Sequence, residues 1–223
     1  VTPQPLGPNH WEFGQASWPD DDFVGIGADL EPSTVVAAYA AGLFPMPTEP
    51  GGPMGWWSPV RRGVLPLDRL RVTRSLRRSV KHFTTTFDTA FEEVVLACAD
   101  PSREGSWIDG QIGAAYGRLH ALGWAHSVEV HNADGTLVGG LYGVAIGGLF
   151  AGESMFHRER DASKVALVAL VDLLSDEYAK RRLVDTQWQT PHLATLGVEE
   201  WPREEYLAAL PTVLDTPLPA PWR

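Results

Sequence analysis

Apolar positions recur along the chain with two periods, one helical and one alternating, and together they mark out most of its elements. The run from Pro32 to Ala41 is short and apolar, with proline suited to a first helical position and Gly42 suited to a C-terminal cap. Helical periodicity returns over 89–99 and 110–122. In the second of these, Ile112, Ala115, Tyr116, Leu119 and Leu122 share a face, Asp109 can cap the start and Gly123 can end the helix. Residues 126–131 alternate like a half-buried strand, and the turn signal Asn132-Ala-Asp-Gly135 leads into a second strand over 136–145. Gly147 and Gly148 invite a further tight turn into a strand at 149–151, completing an antiparallel meander of three. A stripe of Leu167, Leu170, Val171, Leu174 and Tyr178 then predicts a helix over 163–178, followed by a strand over 183–187. Helix, meander, helix and strand predict an α+β domain from about 64 to 223. The proline-rich, acidic segment 1–63 reads as a small N-terminal domain.

The chain has 223 residues, 44% apolar and 21% charged, enough to bury a sizeable core. It contains no apolar run of transmembrane length, and its first residues lack the basic-then-apolar order of a secretory signal, so a cytoplasmic, non-membrane protein is expected. The lone Cys98 lies in an apolar helical pattern and reads as a buried thiol. A net charge of −10 argues against a polyanionic partner until its distribution is considered. No lysine or arginine precedes Arg61. The next stretch then holds Arg61, Arg62, Arg69, Arg71, Arg74, Arg77, Arg78 and Lys81 against the single acid Asp68. Arg74, Arg77, Arg78 and Lys81 share one face of a helix from about 73 to 81 and lack acidic partners there, which suits phosphates.

Glu153 follows the predicted strand at 149–151, where it is either a solvated loop acid or a carboxylate facing a cleft. Asp185 and Gln187 stand two apart, so regular alternation puts both on one face and Val184 and Thr186 on the other. From the residues alone the pair is open to a structural or a chemical role. His126 faces away from Glu129 and His131, and without a close His or Cys cluster no metal site is expected. Ser154 and Ser163 lack a nucleophile-elbow pattern. The glycine-free stretch 158–163 is ill suited to the pyrophosphate of coenzyme A, and no cofactor is expected. Nine tryptophans are many for this length. Trp56, Trp57 and Trp107 sit among glycine, serine and proline, where they could pack or stack on unpaired bases.

The motifs taken together resemble the leucyl/phenylalanyl-tRNA–protein transferases across nearly the whole chain. They include Gly25-Ile-Gly-Ala-Asp-Leu30, Ala38-Tyr-Ala-Ala-Gly-Leu-Phe-Pro45, Trp56-Trp-Ser-Pro59, Gly105-Ser-Trp-Ile108, Val138-Gly-Gly-Leu-Tyr-Gly-Val144, Gly152-Glu-Ser-Met-Phe156 and Thr190-Pro-His-Leu193. The resemblance implies an acetyltransferase-superfamily-like catalytic domain behind a small N-terminal domain. It also implies an enzyme that moves leucine or phenylalanine, and methionine less well, from aminoacyl-tRNA to proteins beginning with arginine or lysine. The product would be marked for degradation in the bacterial N-degron pathway. By motif, Asp185, Gln187 and Glu153 correspond to the family's catalytic residues. Trp107 and Tyr116 correspond to substrate-side aromatics, and Leu141, Phe150 and Leu167 to its aminoacyl pocket. Arg62, Arg74, Arg77, Arg78 and Lys81 would bind tRNA, and the enzyme would act as a monomer.

Three departures from the common pattern stand out. Met46 replaces the tryptophan of Phe-Pro-Trp, Thr186 replaces the cysteine of Asp-Cys-Gln, and Val60-Arg61-Arg62 replaces Asp-Pro-Arg. An aminoacyl ester is already activated, so positioning can carry much of the task. The expected arrangement has Asp185, oriented with Gln187, hydrogen-bonding the attacking amine, and Glu153 anchoring the donor's own α-amino group. Rival readings are a coenzyme A-dependent or cell-wall acyltransferase of the same superfamily, and an RNA-binding protein without activity.

Overall fold

A computed structural model describes residues 2–14, 18–102 and 107–223. The expected motif at 105–108 therefore lies partly outside the described residues. In the N-terminal part, β1 (Phe23–Ile26), α1 (Pro32–Ala41), β2 (Phe44–Pro47) and β3 (Met54–Trp57) build a small antiparallel sheet of order β1-β3-β2 with one helix. Gly42 ends α1 as expected, at φ 93°, with its N–H on the carbonyls of Ala38 and Tyr39.

The chain then passes through β4 (Arg61–Pro66), α2 (Arg74–Val80), β5 (Thr84–Phe87), α3 (Phe91–Cys98), α4 (Gly110–Ala121), β6 (Ala125–His131), β7 (Leu137–Ile146) and β8 (Leu149–His157). It continues through α5 (Ala162–Leu174), β9 (Leu183–Gln187), α6 (Pro191–Leu196), β10 (Glu199–Pro202) and α7 (Arg203–Leu214). Seven strands form one sheet of order β10-β4-β9-β8-β7-β6-β5. The expected boundary at residue 63 falls inside β4, which is a strand of this larger sheet.

The expected meander is β6-β7-β8, and β5 extends it by one strand. Residues 126–131 were expected to be half-buried, yet β6 is buried along nearly its whole length. The reason is that α5 covers one face of the sheet while α3 and α4 cover the other. Glu129 survives there because Ser127, Thr86 and Thr89 donate hydroxyl hydrogen bonds to it. The helix expected over 163–178 stops at Leu174, so Tyr178 lies beyond it. Cys98 is buried, as its pattern implied. No helix among the described residues is long and apolar enough to cross a membrane.

One pairing determines where the site lies. All neighbours in the large sheet are antiparallel except β8 and β9, which run parallel because α5 makes the crossover between them. They pair only over Leu149–Ala151 with Leu183–Asp185, after which β8 runs on to His157 paired with β7 alone. The gap that opens between the parting strands is a cleft in the middle of the sheet.

Glycines in β7 let α5 approach closely. A Cβ on Gly139 would stand 2.5 Å from the Cβ of Ala162 and 2.9 Å from its carbonyl carbon, at the start of α5. Gly139→Ala is therefore expected to destabilise the fold by about 1–3 kcal/mol, measured as a lowered urea midpoint. An unchanged midpoint would show that α5 yields freely.

Candidate active site

Two local irregularities shape the cleft. Along the β7–β8 ladder Tyr142 pairs with Ser154 and Gly143 with Gly152, so Glu153 is the extra residue of a β-bulge. It thus lies within a strand, not just after one, because the expected strand of three residues is in fact nine. Along the β4–β9 ladder Val64 pairs with Asp185 and Gly63 with Gln187, which leaves Thr186 bulged, and Gln187 adopts φ 57°. Regular alternation is lost at this point. Val184, Thr186 and Gln187 line the cleft, whereas Asp185 turns away from it and is fully buried.

Asp185 is held by four donors. Arg62 binds it twice, through Nε at 2.8 Å and Nη2 at 2.5 Å, while the Tyr206 hydroxyl and the Gln187 N–H each donate at 2.9 Å. Arg62 Nη1 donates to the Gly42 carbonyl at 3.0 Å. Burial works against the guanidinium charge, but Asp185 outweighs it and raises the arginine pKa. Only 1% of Arg62 is exposed, so it is not at the surface where the tRNA contact was expected. Its place in the sequence gave no sign of this, because the burial depends on Asp185, a strand far along the chain.

Glu153 has a different environment. Tyr39 and Tyr116 donate to its two oxygens at 2.6 and 2.8 Å, their own hydroxyls meet at 2.5 Å, and Gln187 Nε2 approaches at 3.4 Å. Three short contacts among these three groups require three protons, and the two tyrosines carry only two. The third contact is filled only when the carboxyl group itself carries a proton, one tyrosine then accepting from it. Burial pushes the Glu153 pKa up to about 7; the negative charge of Asp185 adds to this, while the tyrosine hydroxyls and Arg62 oppose it.

Leu141, Phe150 and Leu167 come together as the apolar lining of a cavity of about 270 Å³, whose polar end carries Glu153, Thr186 and Gln187. Phe150 is backed by Trp222 at a ring distance of 5.7 Å, and Trp222 in turn stacks on His126 at 4.2 Å. Tyr116 stands behind Glu153, fully buried, and does not line the cavity. Trp107 packs against the core beside α4. Trp56 is buried, and Trp57 joins Trp188 and Phe44 in an aromatic cluster that Met46 also approaches. His126 bonds Asp88 at 2.8 Å. Arg74, Arg77, Arg78 and Lys81 are exposed on and just after α2, which Thr73 caps, and among the described residues none of them has an acidic partner within 4.0 Å.

Sequence reasoning did not single out Tyr39, Tyr206, Thr186 or His192 for this site. Tyr39 stood inside the quoted motif Ala38-Tyr-Ala-Ala-Gly-Leu-Phe-Pro45, the one tyrosine in a run of small residues, and that was the available signal.

The family model described as "Leucyl/phenylalanyl-tRNA protein transferase" matches residues 64–211, and the model of that family's N-terminal domain matches 28–60. Among curated relatives, the leucyl/phenylalanyl-tRNA–protein transferase of Tolumonas auensis is 48% identical, covering 87% of this chain and 83% of its own length. That of Akkermansia muciniphila is 50% identical, covering 83% of this chain and 97% of its own. Likeness to solved structures is much more distant. The L-PGS structure from Bacillus licheniformis has a TM-score of 0.40 at 10% identity, covering 69% of this chain and 64% of that one. These observations define an aminoacyltransferase. The chain belongs to the leucyl/phenylalanyl-tRNA–protein transferase family.

Two consequences of the site geometry are measurable. Asp185→Ala leaves a buried guanidinium without its counter-charge, and the expected loss is about 3–5 kcal/mol in urea unfolding; a loss below 1 kcal/mol would mean that the pair carries little, on the same ~1 kcal/mol scale as an exposed one. For Glu153 the folded pKa of about 7 lies above its unfolded value. Between those two values the native state binds more protons than the unfolded one, so its stabilising share is complete below the unfolded pKa and declines as pH rises to about 7. Glu153→Gln should remove that decline from a plot of melting temperature against pH. A wild-type slope retained in the variant would assign the effect to another group.

Proposed function

We propose that the cavity at the split between β8 and β9 receives the leucyl or phenylalanyl side chain of an aminoacyl-tRNA. The enzyme then transfers that residue to the N-terminus of proteins that begin with arginine or lysine, with methionine a poorer donor. The observation that carries the reading is the cavity itself. Leu141, Phe150 and Leu167 offer an apolar enclosure of about 270 Å³, and Glu153 and Gln187 stand at one end of it. Burial of the donor side chain favours leucine and phenylalanine at about 25 cal/mol per Å². The modified proteins are destined for degradation by the N-degron pathway of the bacterial cytoplasm, and the enzyme works as a monomer without cofactor or metal.

In this reaction the acceptor amine attacks the ester carbonyl, a C–N bond forms, the C–O bond to the terminal ribose breaks, and a proton passes from the amine to the leaving oxygen. Glu153 anchors the donor's α-amino group, and Gln187 steadies the carbonyl or the attacking amine. Asp185 acts one step back, since its carboxylate is already engaged by Arg62, Tyr206 and the Gln187 N–H. It is an orienting group for Gln187 rather than a base. Arg74, Arg77, Arg78 and Lys81 on the exposed face of α2 supply the charge for the tRNA body.

The test mixes purified protein with Leu-, Phe- and Met-tRNA and with peptides beginning in arginine, lysine or alanine, and then weighs the peptides. Leucine or phenylalanine should appear on the arginine and lysine peptides alone, and no added mass on any peptide would overturn the reading. Leu141→Trp or Phe150→Trp should reduce phenylalanyl transfer before leucyl transfer, because the larger ring meets the added bulk first. An unchanged donor preference would place the side-chain pocket elsewhere.

A further inference from the structure

A second groove, of about 610 Å³, adjoins the apolar cavity and shares Met155 and His192 with it. Its lining is cationic. Arg158, Arg160 and Lys164 contribute three positive charges against the one acid Asp161, and His157 and His192 complete the polar wall. That acid is already engaged: Lys164 Nζ lies 2.9 Å from one oxygen, Ser79 donates to the other at 3.0 Å, and Arg160 Nε stands at 3.9 Å. Glu159, the nearest further carboxylate in the chain, accepts instead from Asn132. The Arg160 side chain is 91% exposed, its guanidinium open to a ligand.

The groove's position adds a second, independent argument. The contact from Ser79 to Asp161 ties the groove to α2, the helix that carries Arg74, Arg77 and Arg78. Cavity, groove and basic helix are therefore neighbours in that order. Partial burial lowers the His192 pKa, and the positive charges of Lys164 and His157 lower it further, so the field along this wall is positive.

We propose that this groove is a phosphodiester-binding site that grips the single-stranded 3′ end of the aminoacyl-tRNA between the aminoacyl cavity and α2. It rests on the donor reading given above. The cations of the groove meet the phosphates next to the terminal nucleoside, while those of α2 meet phosphates of the folded tRNA body. An aminoacyl group held in the cavity is thereby anchored by its own strand. The groove contributes to donor binding and not to bond making.

Three donors separate these contributions: leucyl-adenosine, which has no phosphodiester, a leucyl-CCA trinucleotide, and leucyl-tRNA, each with the same peptide beginning in arginine. Arg160→Glu breaks only a long surface contact, and a second variant combines it with Lys164→Gln. Both should raise KM for leucyl-CCA and leucyl-tRNA at least about tenfold, with kcat within about twofold and a shallower salt dependence, and leave leucyl-adenosine unchanged. Arg77→Ala with Arg78→Ala should raise KM for leucyl-tRNA alone. If both groove variants match wild type with all three donors, the groove holds no strand. A rise in KM for the peptide with every donor would assign it to the acceptor instead, which also overturns the proposal. Wild-type protein that fails to use leucyl-tRNA at all would overturn the functional reading itself.

Discussion

The ion pair between Arg62 and Asp185 is the constraint on which the rest of the site depends. Taking two charges out of water costs several kcal/mol per ion, and such a pair persists only when its geometry and remaining hydrogen bonds are nearly complete. Here they are. The guanidinium meets the carboxylate twice, donates from Nη1 to Gly42, and has the rings of Phe44 at 5.1 Å and Tyr206 at 4.5 Å. Those partners come from the end of α1, from β2, from β9 and from α7, so one salt bridge draws the small sheet, the large sheet and the C-terminal helix together. Because Asp185 also accepts from the Gln187 N–H, the same pair supports the left-handed turn that points the end of β9 into the cleft.

The two buried carboxyl groups of the site have contrasting surroundings. Asp185 has a full counter-charge and four donors, whereas Glu153 has only neutral hydroxyls and an amide around it. The ionised aspartate itself raises the pKa of the glutamate. One carboxyl group anchors the Gln187 backbone, and the other sits on a network of hydroxyls beside the cavity.

Much of the frame was legible because it follows from period and caps. Gly42 ends α1, Asp109 caps α4 through the N–H groups of Gln111 and Ile112, and the turn at 132–135 joins β6 to β7. The pocket side chains Leu141, Phe150 and Leu167 also converge as the family motifs implied. What escaped was set by long-range contacts or by broken periodicity. β4 begins with two arginines and β10 has four residues, so neither carries a strand pattern of its own; both exist by pairing within the large sheet. Bulges at Glu153 and Thr186 displace side chains from the faces that strict alternation assigns them. Arg62 looks like a surface cation in a run of cations until Asp185, 123 positions away, is folded against it.

The back of the cavity has its own history within the chain. Phe150 belongs to the central strand β8, but the ring that supports it, Trp222, follows two further strands and three helices. On a ribosome the strands of the meander can pair long before that tryptophan is made. The meander can thus be paired while the wall behind Phe150 is still unsupported, and the cavity takes its final shape only when that distant ring docks. The shape of the cavity is in this sense set by a residue well away in sequence from those that line it.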